Sequence, residues 1–147
     1  MIAILQRVTS SHVTVEGEVV GSIGRGLNVL LGVLKGDSEE DMDRALQKIL
    51  HLRIFADDAG KMNRSLLDVG GELLVISQFT LGANVKKGRR PSFDKAAEPS
   101  RAQALYEYFI AEARKEVPVQ SGVFGAHMEV AIENDGPVTI IVDSSQL

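Results

Sequence analysis

Two apolar runs constrain this chain more than any other feature: Leu27-Asn28-Val29-Leu30-Leu31-Gly32-Val33-Leu34, and Leu73 to Ile76 within Glu72–Phe79. Each is too short and too uniformly apolar for a half-buried surface strand, so each predicts a strand covered on both faces. A strand of that kind needs something packed on either side, and the rest of the chain supplies it. Met42, Ala45, Leu46, Ile49 and Leu50 recur at helical spacing, as do Ala102, Leu105, Tyr106, Phe109, Ile110 and Ala113, giving two amphipathic helices. Asp37 with Glu40 predicts the start of the first by a capping-box-like pair. Pro99 suits the first turn of the second, and Val117-Pro118 ends it. His12–Val15 and Glu18–Val20 flank the turn Glu16-Gly17. A short strand is expected near Arg53-Ile54-Phe55, and two final strands at about 127–133 and 138–143, either side of Asn134-Asp135-Gly136-Pro137.

With 147 residues and no linker, repeat or low-complexity stretch, residues 1–147 form a single mixed α/β domain. No apolar run approaches the roughly 20 residues that span a bilayer. The segment Met1–Arg7 lacks the pattern of a signal peptide, so no membrane or secretory role is expected. Cysteine is absent, which removes disulfides, thiolate metal sites and a cysteine nucleophile together. His12, His51 and His127 stand far apart without metal-ligand spacing, and neither a metal nor a cofactor is expected.

Three places carry polar chemistry. Ser77, Gln78, Phe79 and Thr80 follow directly on a buried strand, where a rigid scaffold can present groups to a pocket. No GxSxG elbow surrounds Ser77, and an unactivated Thr80 hydroxyl is a poor nucleophile, so the position alone names no reaction. Gly136-Pro137 reads either as a hairpin turn or, if the peptide is cis, as a rigid pair of carbonyl oxygens. Lys86, Lys87, Arg89 and Arg90 crowd five positions of the aperiodic segment 82–98. Despite a net charge of -4, such a cluster can meet a phosphate backbone, although a solvated loop is the plainer reading.

Taken together the motifs are more specific. Gln6-Arg7-Val8, Gly26-Leu27, Ser77-Gln78-Phe79-Thr80-Leu81, Lys87-Gly88-Arg89-Arg90-Pro91-Ser92-Phe93, Gly122-Val123-Phe124-Gly125-Ala126 and Asn134-Asp135-Gly136-Pro137-Val138-Thr139 occur in this order. In order, spacing and total length they resemble the D-aminoacyl-tRNA deacylase family over essentially the whole chain. The resemblance implies two β-sheet layers, mixed or antiparallel and barrel-like, with two main helices on one side. It implies a cytoplasmic homodimer that cleaves the ester joining a D-amino acid to the 3′ end of tRNA, with glycyl-tRNA also cleaved in some degree. Ser77 to Thr80 would form the pocket floor. Gly136-Pro137 would be a cis dipeptide that enters the partner's pocket and collides with an L side chain, while Arg7 would brace that turn and Phe124 would pack near the terminal adenosine. Lys86, Lys87, Arg89 and Arg90 would approach tRNA phosphates. For the chemistry two routes stay open, with Thr80 as nucleophile or with the tRNA 2′-hydroxyl assisting water. Other readings are an editing deacylase for a mischarged L-aminoacyl-tRNA, a non-catalytic tRNA-binding module, and a purely structural homodimer.

Overall fold

The computed structural model describes residues 1–147. Its centre is a long strand, β1 (Ile2–Val15), joined by a tight turn to β2 (Glu18–Ile23) and then β3 (Gly26–Gly32). The turn has Glu16 and Gly17 at φ 49° and 81°, the left-handed conformation a two-residue hairpin needs. Next come α1 (Glu39–His51), β4 (Phe55–Ala56), β5 (Met62–Arg64), α2 (Leu66–Val69) and β6 (Glu72–Ser77). A 3-10 turn (Phe79–Gly82), α3 (Pro99–Arg114), β7 (Val119–Ser121), β8 (Glu129–Asp143) and a last 3-10 turn (Ser144–Gln146) complete the chain.

Six strands make one mixed sheet in the order β2-β1-β3-β6-β7, with β8 also on β1, and β4 with β5 forms a separate hairpin. The β3–β6 and β6–β7 pairs are parallel and every pair made by β1 is antiparallel. The sheet curls until β2 lies against β7: a Cβ built on Gly21 would stand 2.6 Å from the carbonyl oxygen of Ser121. Only glycine permits that approach. The two layers expected from the sequence are therefore opposed parts of one curled, barrel-like sheet.

The apolar runs are buried on both faces as expected. On one face Leu27, Val29, Leu31, Leu73 and Val75 join the stripes of α1 and α3 in the main core. On the other, Leu74 and Ile76 meet Val8, Val13 and Ile23 in a second core inside the curl. β1 changes from feeding the first core (Ala3, Leu5) to the second (Val8, Val13), and its parity changes at a bulge between Val8 and Ser10.

Four expectations are corrected. The N-cap of α1 is Ser38, in a capping box with Asp41, and not Asp37 with Glu40. Asp37 instead accepts from the Met1 amino group at 2.8 Å and from the Leu34 amide at 2.6 Å. The strand expected at 53–55 is only Phe55–Ala56, and β6 stops at Ser77 because the 3-10 turn begins at Phe79. The two final strands are one, β8, in which Gly136-Pro137 is an excursion and not a hairpin turn. No helix is long and apolar enough to cross a membrane.

Candidate active site

Where β6 ends, the backbone turns away from the sheet into the 3-10 turn and opens a cavity of about 480 Å³. Ser77, Gln78 and Phe79 line one side, Ala96, Ala97, Pro99 and Ala102 the entry to α3, and Phe124 to Met128 a third wall. Ten of its 15 lining residues are hydrophobic, so a ligand here is gripped mainly by shape with few polar contacts. The walls are anchored from behind. Tyr106 of α3 donates to the Val75 carbonyl at 2.8 Å and stacks 5.9 Å from Phe124. Burial pushes the Tyr106 phenol up to about 12, so it remains a donor throughout the neutral range.

The polar side chains of the lining are Ser77, Gln78 and His127. Phe79 and Thr80 open the 3-10 turn, and the first amides of a helical turn have no acceptor within it. Gln78 leads in with φ -142° and ψ 79°, and its amide accepts no part in that turn because it donates to the Leu31 carbonyl at 2.8 Å. The Thr80 hydroxyl, exposed, accepts from the Gln78 side-chain amide. A carboxamide is not a base, so this contact does not activate Thr80 as a nucleophile. His127 lines the cavity but makes no hydrogen bond to Ser77 or Thr80. It is the site residue that sequence reasoning missed, with Met128 and the Ala96–Pro99 wall. These come to Ser77 only through the tertiary fold, and the Gly122–Ala126 string stops one residue short of His127.

Gly136-Pro137 lies elsewhere: neither residue lines the cavity of its own chain. The peptide between them is cis, and Gly136 sits at φ 141°, a backbone angle that suits glycine. Side chains hold the excursion in shape. Asn134 acts as a substitute strand, its Oδ1 accepting from the Val138 amide at 2.8 Å and its Nδ2 donating to the Val138 carbonyl at 3.1 Å. Arg7 donates from Nε to the Asp135 carbonyl at 2.9 Å and from Nη1 to the Ile54 carbonyl at 2.6 Å. Its guanidinium also lies 3.5 Å from the Asp135 carboxylate. Arg7 thus ties the excursion to the residue before β4.

Lys86, Lys87, Arg89 and Arg90 occupy the exposed tip of a loop closed at its base by paired bonds between Asn84 and Ser92, 2.7 and 2.9 Å. None of the four has a salt-bridge partner in the chain. Phe93 follows the closure and meets Phe79 edge to face at 5.1 Å. The sequence-predicted residues therefore fall into two groups: Ser77, Gln78, Phe79 and Phe124 line one cavity, with Thr80 exposed next in the chain and the basic loop following, and Arg7 with Gly136-Pro137 lies apart. No group of three or more metal-ligating side chains converges.

The model of the D-Tyr-tRNA(Tyr) deacylase family matches residues 4–143. D-aminoacyl-tRNA deacylases of Persephonella marina and Aquifex aeolicus are 62% and 59% identical to this chain, each aligned over all of both sequences. Among solved structures, one called c-Myc DNA Unwinding Element Binding Protein superposes with a TM-score of 0.92 at 43% identity, over 97% of this chain and 98% of that one. Another, described as a "probable eukaryotic D-amino acid tRNA deacylase", shares the fold with a TM-score of 0.84 at 23% identity, over 96% and 97%. A match over nearly every residue, from the first strand to the last, places this chain in the D-Tyr-tRNA(Tyr) deacylase family.

Proposed function

We propose that this protein hydrolyses the ester of D-aminoacyl-tRNA, releasing tRNA and the free D-amino acid, and so removes the wrong enantiomer before protein synthesis in the cytoplasm. The observation that carries the reading is the cavity at the end of β6: mainly apolar, about 480 Å³, and lined by Ser77, Gln78 and Phe79 where the 3-10 turn opens. Its size is ordinary for a ligand of a few tens of atoms, such as an amino acid esterified to adenosine. An ester needs little activation. Water adds to the carbonyl carbon while the Phe79 and Thr80 amides hold the developing oxyanion. The 2′-hydroxyl of the terminal adenosine relays the water's proton to the departing 3′-oxygen, and no enzyme side chain becomes acylated. The engagement of the Thr80 hydroxyl by Gln78, a donor and not a base, supports this route over a threonine nucleophile.

Selectivity is assigned to Gly136-Pro137 of a second copy, entering the cavity across a homodimer. Two features support it: the dipeptide does not reach its own cavity, and Asn134 and Arg7 hold it in one shape. Carbonyl oxygens fixed beside Cα leave room for hydrogen and collide with an L side chain. Glycine has nothing to collide, so glycyl-tRNA is cleaved to some degree. The Lys86–Arg90 loop meets tRNA phosphates, and Phe124 packs near the adenosine.

The test is hydrolysis of D-tyrosyl-tRNA and L-tyrosyl-tRNA by the purified protein and by Thr80→Ala. We expect the D ester to disappear and the L ester to persist, with turnover retained in the variant. Equal loss of both esters removes the chiral filter and favours a general editing hydrolase. Binding of tRNA without loss of either ester leaves only an RNA-binding module. Abolished turnover in a folded Thr80→Ala protein restores the nucleophile.

A further inference from the structure

The chain has few aromatic side chains, Tyr 2 and Phe 5, and most have evident structural work. Phe55, Phe109 and Tyr106 are buried in the main core, Tyr108 bonds Asp43, and Phe124 packs on Tyr106. Phe79 and Phe93 remain. They are 58% and 37% exposed, they touch edge to face at 5.1 Å with the rings 68° apart, and their contact stabilises no core. Burial alone does not explain two large apolar rings left in water.

Their position does. Phe79 lines the mouth of the cavity, and its amide opens the 3-10 turn. Phe93 is the first residue beyond the Asn84–Ser92 closure that sets off the loop bearing Lys86, Lys87, Arg89 and Arg90. The pair therefore stands between a pocket for the esterified 3′ nucleotide and a cluster of four unpaired cations. Exposed aromatic faces flanked by Lys and Arg are how single-stranded nucleic acid is bound, each base stacking on a ring while cations follow the backbone. The geometry points to a second nucleotide subsite: the Phe79–Phe93 pair receives the base that precedes the terminal adenosine, as the single strand leaves the cavity toward the basic loop. The ligand class is the unpaired 3′ end of an RNA. A ring pair recognises a π face and not a particular hydrogen-bonding edge, so the subsite tolerates any base and reads single-strandedness.

This subsite rests on the deacylase reading, and the experiment separates the two. Two substrates are compared: D-tyrosyl-tRNA, which has the preceding nucleotides, and 3′-D-tyrosyl-adenosine, which does not. The measured quantity is the ratio of their kcat/KM values in wild type, Phe93→Ala and Phe93→Trp. We expect Phe93→Ala to lower the ratio by about 5- to 150-fold, the range of one base–aromatic stack, and Phe93→Trp to restore it. We also expect the salt dependence of tRNA binding to keep its slope in Phe93→Ala, because stacking releases no counterions. An equal fall on both substrates, or no fall, overturns the subsite and leaves the ring a structural prop. A changed association state of Phe93→Ala in sedimentation overturns it in favour of a second copy covering the rings. Failure of the wild type to cleave either substrate strikes instead at the deacylase reading.

Discussion

Asn134 offers the sharpest separation of stability from selectivity. Its side chain replaces the strand partner that Val138 lacks where β8 leaves the ladder, accepting from the Val138 amide at 2.8 Å and donating to the carbonyl at 3.1 Å. Asn134→Ala removes both bonds and leaves the amide of a nearly buried residue without an acceptor, Val138 being 8% exposed. An orphaned buried donor costs about 1–3 kcal/mol. Water reaches part of this excursion, so the lower half of that range applies, about 1–2 kcal/mol or a few degrees in Tm. The effect on selectivity should be larger in proportion. If the Gly136 and Pro137 carbonyls reject L substrates by a clash, a loosened excursion can move aside at little cost, and misplacement of about 1 Å is worth up to ~100-fold in rate. We expect the ratio of D- to L-tyrosyl-tRNA hydrolysis to fall at least ~10-fold, chiefly because L hydrolysis rises. Asn134→Asp keeps the acceptor for the Val138 amide but sets an anion against the Val138 carbonyl, so it should match the alanine variant in selectivity and exceed it in stability. Denaturant melts and deacylation time courses on the same preparations give both quantities. A melt shifted as stated with an unchanged D/L ratio would refute the reasoning, since the excursion would then be structural only.

Two further outcomes follow from charges. Removing Lys87 and Arg89 together should shallow the log-affinity versus log-salt slope for tRNA by roughly 1.4–1.8, two phosphate contacts' worth of counterion release; an unchanged slope makes the loop ordinary solvated surface. The Asp41 carboxyl is held below its usual value near 3.8, chiefly by the Ser38 backbone amide, then by the Ser38 hydroxyl and Arg44. Its contribution to stability is therefore present above that usual value and lost as pH falls through the lowered one. Asp41→Asn should flatten the acid side of the stability curve, and an identical curve in both proteins would discount the capping box.

What was legible in the sequence follows from how local its cause is. The stripe of α3 and the runs of β3 and β6 are periodicity, and they appear where expected because each residue's face is set by its neighbours in sequence. The break at the end of β6, where the cavity opens, was legible for the same reason, since polar residues arrive abruptly after an apolar run. The N-cap of α1 was not: Asp37/Glu40 and Ser38/Asp41 are the same pattern one residue apart. The choice falls to the Met1 amino group and the Leu34 amide, which occupy Asp37 and leave Ser38 to cap. His127 likewise enters the cavity just past the Gly122–Ala126 string, which ended one residue short of it.

Of the two readings of Gly136-Pro137 the hairpin turn fails, because the strands expected at about 127–133 and 138–143 are one. A turn at Gly136-Pro137 would set the two halves against each other, whereas both halves pair with β1: Ile2 to Gln6 take 139–143, and Val8 to Thr14 take 129–134. The length of β1 decides the matter, and that length was hidden because Arg7-Val8-Thr9-Ser10-Ser11 breaks the apolar alternation. Those interruptions have specific partners. Arg7 stays paired with Leu27 on β3 while its side chain holds the Asp135 and Ile54 carbonyls, and Ser11, 2% exposed, donates to the Ala131 carbonyl at 2.7 Å and accepts from buried Asn28. A more regular β1 would have been easier to read and would pair with β8 without a bulge. The excursion itself is counted on β8, where 135–138 have no partner between Thr139 on Gln6 and Asn134 on Val8. The bulge in β1 and the excursion in β8 are thus two irregularities side by side, and Arg7 lies between Gln6 and Val8, opposite the second.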